Sequence, residues 1–180
     1  MATPQETFEE IKRFVGFSST DVENLTAVGD VFAKHGAAIT NRFYEVLGTF
    51  PATAAQIDGR VEVLKATHGR WMAELFAGEY GESYLQGRLK IGLAHVRIGL
   101  DPSYVECVMS LIRAECLNAI VAEQGCNPTS MARYASVMKL LDIDLMLINL
   151  AYAEDRIERL SKFTGMNRRL IENVIKKGGK

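Results

Sequence analysis

Three histidines, at positions 35, 68 and 95, and three cysteines, at 107, 116 and 126, are the side chains of this sequence best suited to hold a metal or attack a substrate. Their spacing excludes most such chemistry. No two histidines form an HxxH, HExxH or HxxxH pair and the cysteines form no CxxC, so a metal held by protein ligands alone does not fit. An odd cysteine count matches no disulfide framework, and the three read as reduced thiols, Cys107 and Cys116 on one helix. His95 is the exception. It sits in Lys90-Ile91-Gly92-Leu93-Ala94-His95-Val96-Arg97-Ile98-Gly99-Leu100-Asp101-Pro102, with Ile91 one turn before it and Ile98 nearly one turn after. An imidazole emerging from an apolar stripe is either a core histidine satisfied by a backbone carbonyl or a ligand to a metal that arrives inside an apolar cofactor. A second buried-looking imidazole, His68, shares a helical stripe with Leu64 and directly follows Thr67.

The totals narrow the class. With 180 residues, 48% of them apolar, the chain can bury one sizeable core, and a single domain is expected. Lys and Arg total 21 against 22 acidic residues, which leaves no positive field to attract a nucleic-acid backbone. The N-terminal stretch Met1-Ala2-Thr3-Pro4-Gln5-Glu6 lacks the basic and apolar regions of a secretory signal, and no apolar run reaches 18 residues. The expectation is a cytoplasmic protein with neither nucleic acid nor membrane among its partners.

The elements that must position these residues read as helices throughout. Prolines at 4, 51, 102 and 128 fall at segment edges, and no stretch alternates with the two-residue period of a strand. Thr7-Phe8-Glu9-Glu10 and Thr20-Asp21-Val22-Glu23 fit the capping-box pattern, predicting a helix over about 8–15 and another from about 20 to His35. Gly36 predicts a break, followed by a helix over about 37–47 with Phe43-Tyr44 in its middle. A short helix or turn over 52–57 precedes a helix over about 60–77 that carries Leu64, Thr67, His68 and Trp71. The next, over about 82–98, carries His95 near its end. Asp101-Pro102 and Asn127-Pro128 are start signals for two long helices, since an Asp or Asn side chain caps free amides and proline has none to leave unsatisfied. The last of these contains Val137 to Ala151, apolar around far more than a third of its circumference, and is expected to continue to Ile175. One buried face needs one stripe. The second apolar face is expected to meet another subunit in a homodimeric four-helix bundle, the alternative being a helix buried centrally in one domain. The basic end, Lys176-Lys177-Gly178-Gly179-Lys180, reads as a solvated tail or the start of a connector.

The string His95-Val96-Arg97-Ile98-Gly99-Leu100-Asp101-Pro102, with Leu75-Phe76-Ala77-Gly78 about twenty residues upstream and Phe43-Tyr44 about fifty upstream, resembles the bacterial sensor globins. These are the haem domains of globin-coupled sensors, with protoglobins as close relatives, and the resemblance covers about Glu6 to Tyr152. It implies a globin fold with an extra N-terminal helix and long last two helices that form the dimer bundle, in a sensor domain over 1–160 followed by a helical extension or connector over 161–180. It implies haem b, iron protoporphyrin IX, with His95 as the axial metal ligand, so that one protein nitrogen suffices. The other ring nitrogen is expected to bond a backbone carbonyl one turn earlier, near Ile91. The resemblance makes Tyr44 the distal tyrosine whose phenol donates to the gas ligand, places Leu64 where water entry is controlled, and gives Thr67 a supporting polar role. His68 departs from the family pattern, where an apolar residue is usual, and stands as a second donor, a sixth iron ligand, or a residue at the haem edge. Ile98 and Tyr104 are expected beside the haem, while Trp71 and His35 read as packing and surface residues.

The function implied is a haem-based gas sensor, for dioxygen in the first place and otherwise carbon monoxide or nitric oxide, signalling through the dimer to a fused or separate output domain. No enzymatic activity is expected of such a domain. Three alternatives stand beside it: a globin that detoxifies nitric oxide or peroxide, a simple oxygen store, and a haem-free interaction module.

Overall fold

Each helix begins where a side chain or a proline deals with the amides that have no intrahelical partner. The computed structural model describes residues 3–178 and, among them, nine helices and no strand: α1 (Pro4–Phe14), α2 (Ser19–Thr26), α3 (Gly29–Thr49), α4 (Pro51–Ile57), α5 (Val61–Glu74), α6 (Glu82–Arg97), α7 (Pro102–Gln124), α8 (Pro128–Thr164) and α9 (Arg168–Lys177). The first two residues of the N-terminal stretch and the last two of the basic tail lie outside the described residues. Among the described residues no helix is long and apolar enough to cross a membrane.

The two N-terminal starts differ from expectation. Thr3 and Glu6 form the first capping box, the Thr3 amide donating to Glu6 Oε2 at 2.6 Å and the Glu6 amide to Thr3 Oγ1 at 3.2 Å. Pro4 occupies the first helical position, where its missing amide costs nothing, so the cap of α1 is Thr3, four residues before Thr7. At α2 the cap is Ser18, whose amide donates to Asp21 Oδ2 at 2.9 Å. Asp21 is buried and also accepts from Ser136 at 2.8 Å and from Lys139 at 3.0 Å, which ties α2 to α8.

Gly36 does not break the chain. α3 runs through it because Gly36 is buried against α5, where an added Cβ would sit 3.5 Å from Met72 Cγ. Its low helix propensity, about 1 kcal/mol, is outweighed by the packing of Phe32, Ile39 and Thr40 on the same face.

α8 also corrects the sequence reading. Its apolar circumference over 137–151 is used within the chain: Val137, Leu140, Leu141, Ile143, Leu147, Ile148 and Ala151 are buried, in a helix packed against α2, α6 and α7. The second apolar face therefore does not by itself require a second subunit. Nor does the helix continue to Ile175. Gly165 ends it at φ +71°, and α9 folds back so that Arg168 pairs with Glu154 and Ile171 is buried.

α6 and α8 approach each other closely at Gly92. A Cβ on Gly92 would lie 2.6 Å from Ala151 Cβ and 2.8 Å from the Ile148 carbonyl oxygen, so only glycine lets these helices meet three residues before His95.

Candidate functional site

The helix that carries His95 ends two residues later in a fully bonded corner. Gly99 adopts φ +67°, its amide donates to the Val96 carbonyl at 3.0 Å, and the Leu100 amide donates to the His95 carbonyl at 3.1 Å. Asp101 then caps α7 through the Ser103 amide at 2.9 Å. Tyr152 on α8 donates its hydroxyl to the Leu100 carbonyl at 2.9 Å, pinning the corner from the third side. His95 is thereby held at the rim of a predominantly apolar cavity of about 310 Å³.

The walls of that cavity come from α3 through α8. Tyr44 (α3), Leu64, Thr67 and His68 (α5), Ile91 and His95 (α6), Ile98 at its C-cap and Tyr104 (α7) all line it. Every candidate residue from the sequence thus reaches one cavity. Their environments differ. Tyr44 is buried among apolar groups, which pushes its phenol up to about 12. It stays protonated and able to donate through the physiological range. Ile98 is partly exposed. Thr67 is exposed and its hydroxyl is engaged, donating to the Val63 carbonyl at 3.0 Å and accepting from Arg70 at 3.0 Å.

Both cavity imidazoles carry a buried ring nitrogen without a partner, Nδ1 on His95 and Nε2 on His68. Burial lowers the pKa of both, that of His68 to about 4, so each ring is neutral at pH 7. The expected bond from His95 to the Ile91 carbonyl is not made. His68 is fixed from the other side, with Nδ1 2.8 Å from Thr40 Oγ1 and the ring packed at 4.9 Å from Trp71 and 5.0 Å from Phe43, centroid to centroid.

Trp71 does more than pack. Its indole Nε1 donates to Asp144 Oδ2 at 2.8 Å, and the same oxygen accepts Arg88 Nε at 2.8 Å. Asp144 also accepts the Tyr84 hydroxyl, and Arg88 reaches Glu74 and lies 3.9 Å over the Tyr84 ring. Arg88 and Asp144 are wholly buried. Burial opposes both charges, but Asp144 holds the proton on Arg88 and raises its pKa, so the pair is ionic. The sequence reading missed this cluster. Its trace in the sequence was slight: Arg88 and Asp144 each sit among apolar residues, but beside other charges, Lys90 and Asp142. Thr40 was missed as well, although it lies one turn before Tyr44 on the same helix. His35, expected at the surface, bonds Glu123 at 2.8 Å and joins α3 to α7.

A neutral, unbonded imidazole lining the same apolar cavity as a tyrosine that remains a donor suits a flat apolar group that brings its own metal. Among the described residues no cluster of three or more His, Cys, Asp or Glu side chains could hold a bare ion. The Protoglobin family model matches residues 5–158. This chain belongs to the protoglobin family. The heme-based aerotactic transducer HemAT of Halobacterium salinarum is 27% identical over 160 residues, covering 82% of this chain and 32% of the relative. The chain therefore spans about a third of that curated relative's length. The globin domain of a Geobacter sulfurreducens globin-coupled sensor superposes with a TM-score of 0.76 at 33% identity, over 80% of this chain and 96% of that one. The sensor-globin resemblance and the all-helical globin fold stand.

Proposed function

We propose that this protoglobin-family domain binds haem b through His95 and senses dioxygen. The observation that carries the reading is the cavity itself, flanked by a neutral His95 with an unpartnered ring nitrogen and by Tyr44, a phenol that keeps its proton. Haem iron, when bound, supplies an open coordination position for a diatomic gas. The residues supply the rest. His95 anchors, and the apolar wall of Leu64, Ile91 and Ile98 limits water at the site. The Tyr44 hydroxyl donates to the gas, which favours dioxygen, whose bound form carries partial negative charge, over carbon monoxide. The names of the relatives, a heme-based transducer and a globin-coupled sensor, support the same chemistry.

In this reading the domain is a sensor and not an enzyme, cytoplasmic, and coupled to an output module through a homodimer. Support for the dimer comes from the outward faces of α7 and α8. Leu111 and Met146 are exposed there, and the Arg113–Asp142 pair bridges the two helices between them.

The test is an absorption spectrum of the purified protein in ferric, ferrous and oxygenated forms. A haem Soret band is expected in the wild type and its loss in His95→Ala. Tyr44→Phe is expected to lose dioxygen about tenfold faster, the equivalent of one charge-assisted hydrogen bond of about 1.4 kcal/mol. A colourless wild type, or an unchanged oxygen complex in Tyr44→Phe, overturns the reading.

A further inference from the structure

Charge is unevenly spread along the chain. Residues 159–180 hold seven Lys and Arg and one Glu, whereas the 158 residues before them hold 14 basic and 21 acidic side chains. A net charge of −1 therefore conceals an acidic body joined to a basic segment. Most of that segment's described part is helix α9.

At 3.6 residues per turn, Leu170, Ile171, Val174 and Ile175 fall within about 140° of the circumference of α9. Arg168 and Lys177 stand at the two edges of that arc, and Arg169 and Lys176 lie behind it. The rest of the fold uses little of the apolar face. Ile171 is buried and Arg168 bonds Glu154 and Glu172, at 2.6 and 2.8 Å. Leu170, Val174 and Ile175 are 46%, 55% and 60% exposed, and Phe163, two residues before the Gly165 turn, is 91% exposed. Arg169, Lys176 and Lys177 are exposed as well. Single apolar side chains on a surface are ordinary, but four within 13 residues of a basic segment are not. α1 supplies the contrast: Phe14 is 92% exposed, yet its helix carries three Glu against Lys12 and Arg13.

We propose that α9 and Phe163 form a docking surface for an anionic lipid bilayer. The apolar side chains enter the boundary between headgroups and acyl chains, and the exposed Arg and Lys meet the lipid anions. Charge complementarity selects this occupant. Anionic headgroups attract the basic segment and repel the acidic body, which confines contact to α9. Two copies meeting through α9 would set like charges together. A nucleic-acid backbone would match the cations but give Val174 and Ile175 no acyl layer to enter. No spanning helix is needed, because an interfacial helix lies against the bilayer without crossing it. The proposal is independent of the haem reading.

Cosedimentation of the full chain with vesicles tests it. Partition onto vesicles of three parts phosphatidylcholine to one part phosphatidylserine is expected to exceed that onto phosphatidylcholine alone by about tenfold at about 0.1 M salt, and to collapse at about 0.5 M. Lys176→Gln with Lys177→Gln is expected to weaken it about tenfold, and Val174→Ser with Ile175→Ser about threefold or more. Both pairs leave buried Ile171 in place, so circular dichroism is expected to show unchanged helix content. Phe14→Ser is expected to bind as the wild type does. No partition, or equal partition onto the two vesicle types, overturns the proposal. So does a loss in Phe14→Ser as large as in the paired variants. If the paired variants turn a dimer into a monomer without vesicles, the face meets a second copy instead; if duplex DNA binds more tightly than the anionic vesicles, it meets nucleic acid. Either result also overturns the proposal.

Discussion

Two buried neutral imidazoles make acid sensitivity a property of single residues in this fold. His68 titrates near 4 when folded and near 6.5 when unfolded, so between those values the unfolded chain binds more protons. The stability that neutral His68 contributes is fully present above pH 6.5 and falls as pH drops toward 4, by about 3 kcal/mol over the whole span. His95, also lowered by burial, acts in the same direction. Urea midpoints of haem-free protein at pH 7 and pH 5 check this: the wild type is expected to lose stability on acidification and His68→Leu to lose less. A wild type equally stable at both values contradicts it. Residue identities were legible where chemistry is rare in sequence. Only three histidines had to be placed; His95 stood out on its apolar helical stripe, while Tyr44 was singled out by the resemblance of Phe43-Tyr44 to the sensor globins. Arg88 and Asp144 were not, because nothing in the local sequence sets them apart from the exposed charges Lys90 and Asp142 beside them or names a partner 56 residues away.

At the scale of elements, the contact between α6 and α8 leaves no room for a side chain at position 92. An alanine at position 92 would press its methyl to 2.6 Å from Ala151 Cβ and 2.8 Å from a backbone oxygen, neither of which is the end of a flexible side chain. Gly92→Ala is expected to destabilise the protein by about 1–3 kcal/mol, the range for overpacked cores. The companion Gly87→Ala, with open space around its Cβ, is expected to be neutral or slightly stabilising. Thermal unfolding of the pair checks the contrast, and equal midpoints would refute it. The starts at Asp101-Pro102 and Asn127-Pro128 were legible and α6 falls where the sequence puts it, whereas the capped starts of α1 and α2 were misplaced because more than one Ser or Thr precedes each helix at capping spacing. The errors at Gly36 and Gly165 share one cause. A glycine reads alike whether it ends a helix or lets a neighbour approach. Met72 packed beside Gly36 keeps α3 continuous, while the left-handed backbone at Gly165 ends α8.

At the scale of the whole molecule, α8 serves as an internal spine more than as an outer face, and this sets what a dimer can use. The outward surface left on α7 and α8 includes Cys107, Leu111, Ala114 and Met146. Sedimentation of the wild type is expected to show a dimer, and Leu111→Glu combined with Met146→Glu a monomer with an unchanged haem spectrum. A monomeric wild type would refute the assembly. Fold class was legible because helical periodicity accumulates over 180 residues. The use of each face was not, since periodicity shows that a surface is covered without showing what covers it.

The corner after His95 has a mechanical meaning. Two backbone bonds, a left-handed glycine, an aspartate cap and the Tyr152 phenol leave the five-residue junction from Arg97 to Asp101 without slack. In the sensing reading, a junction so tightly bonded would pass a displacement of the imidazole on to the following helix instead of absorbing it, a lever whose fulcrum is the corner itself.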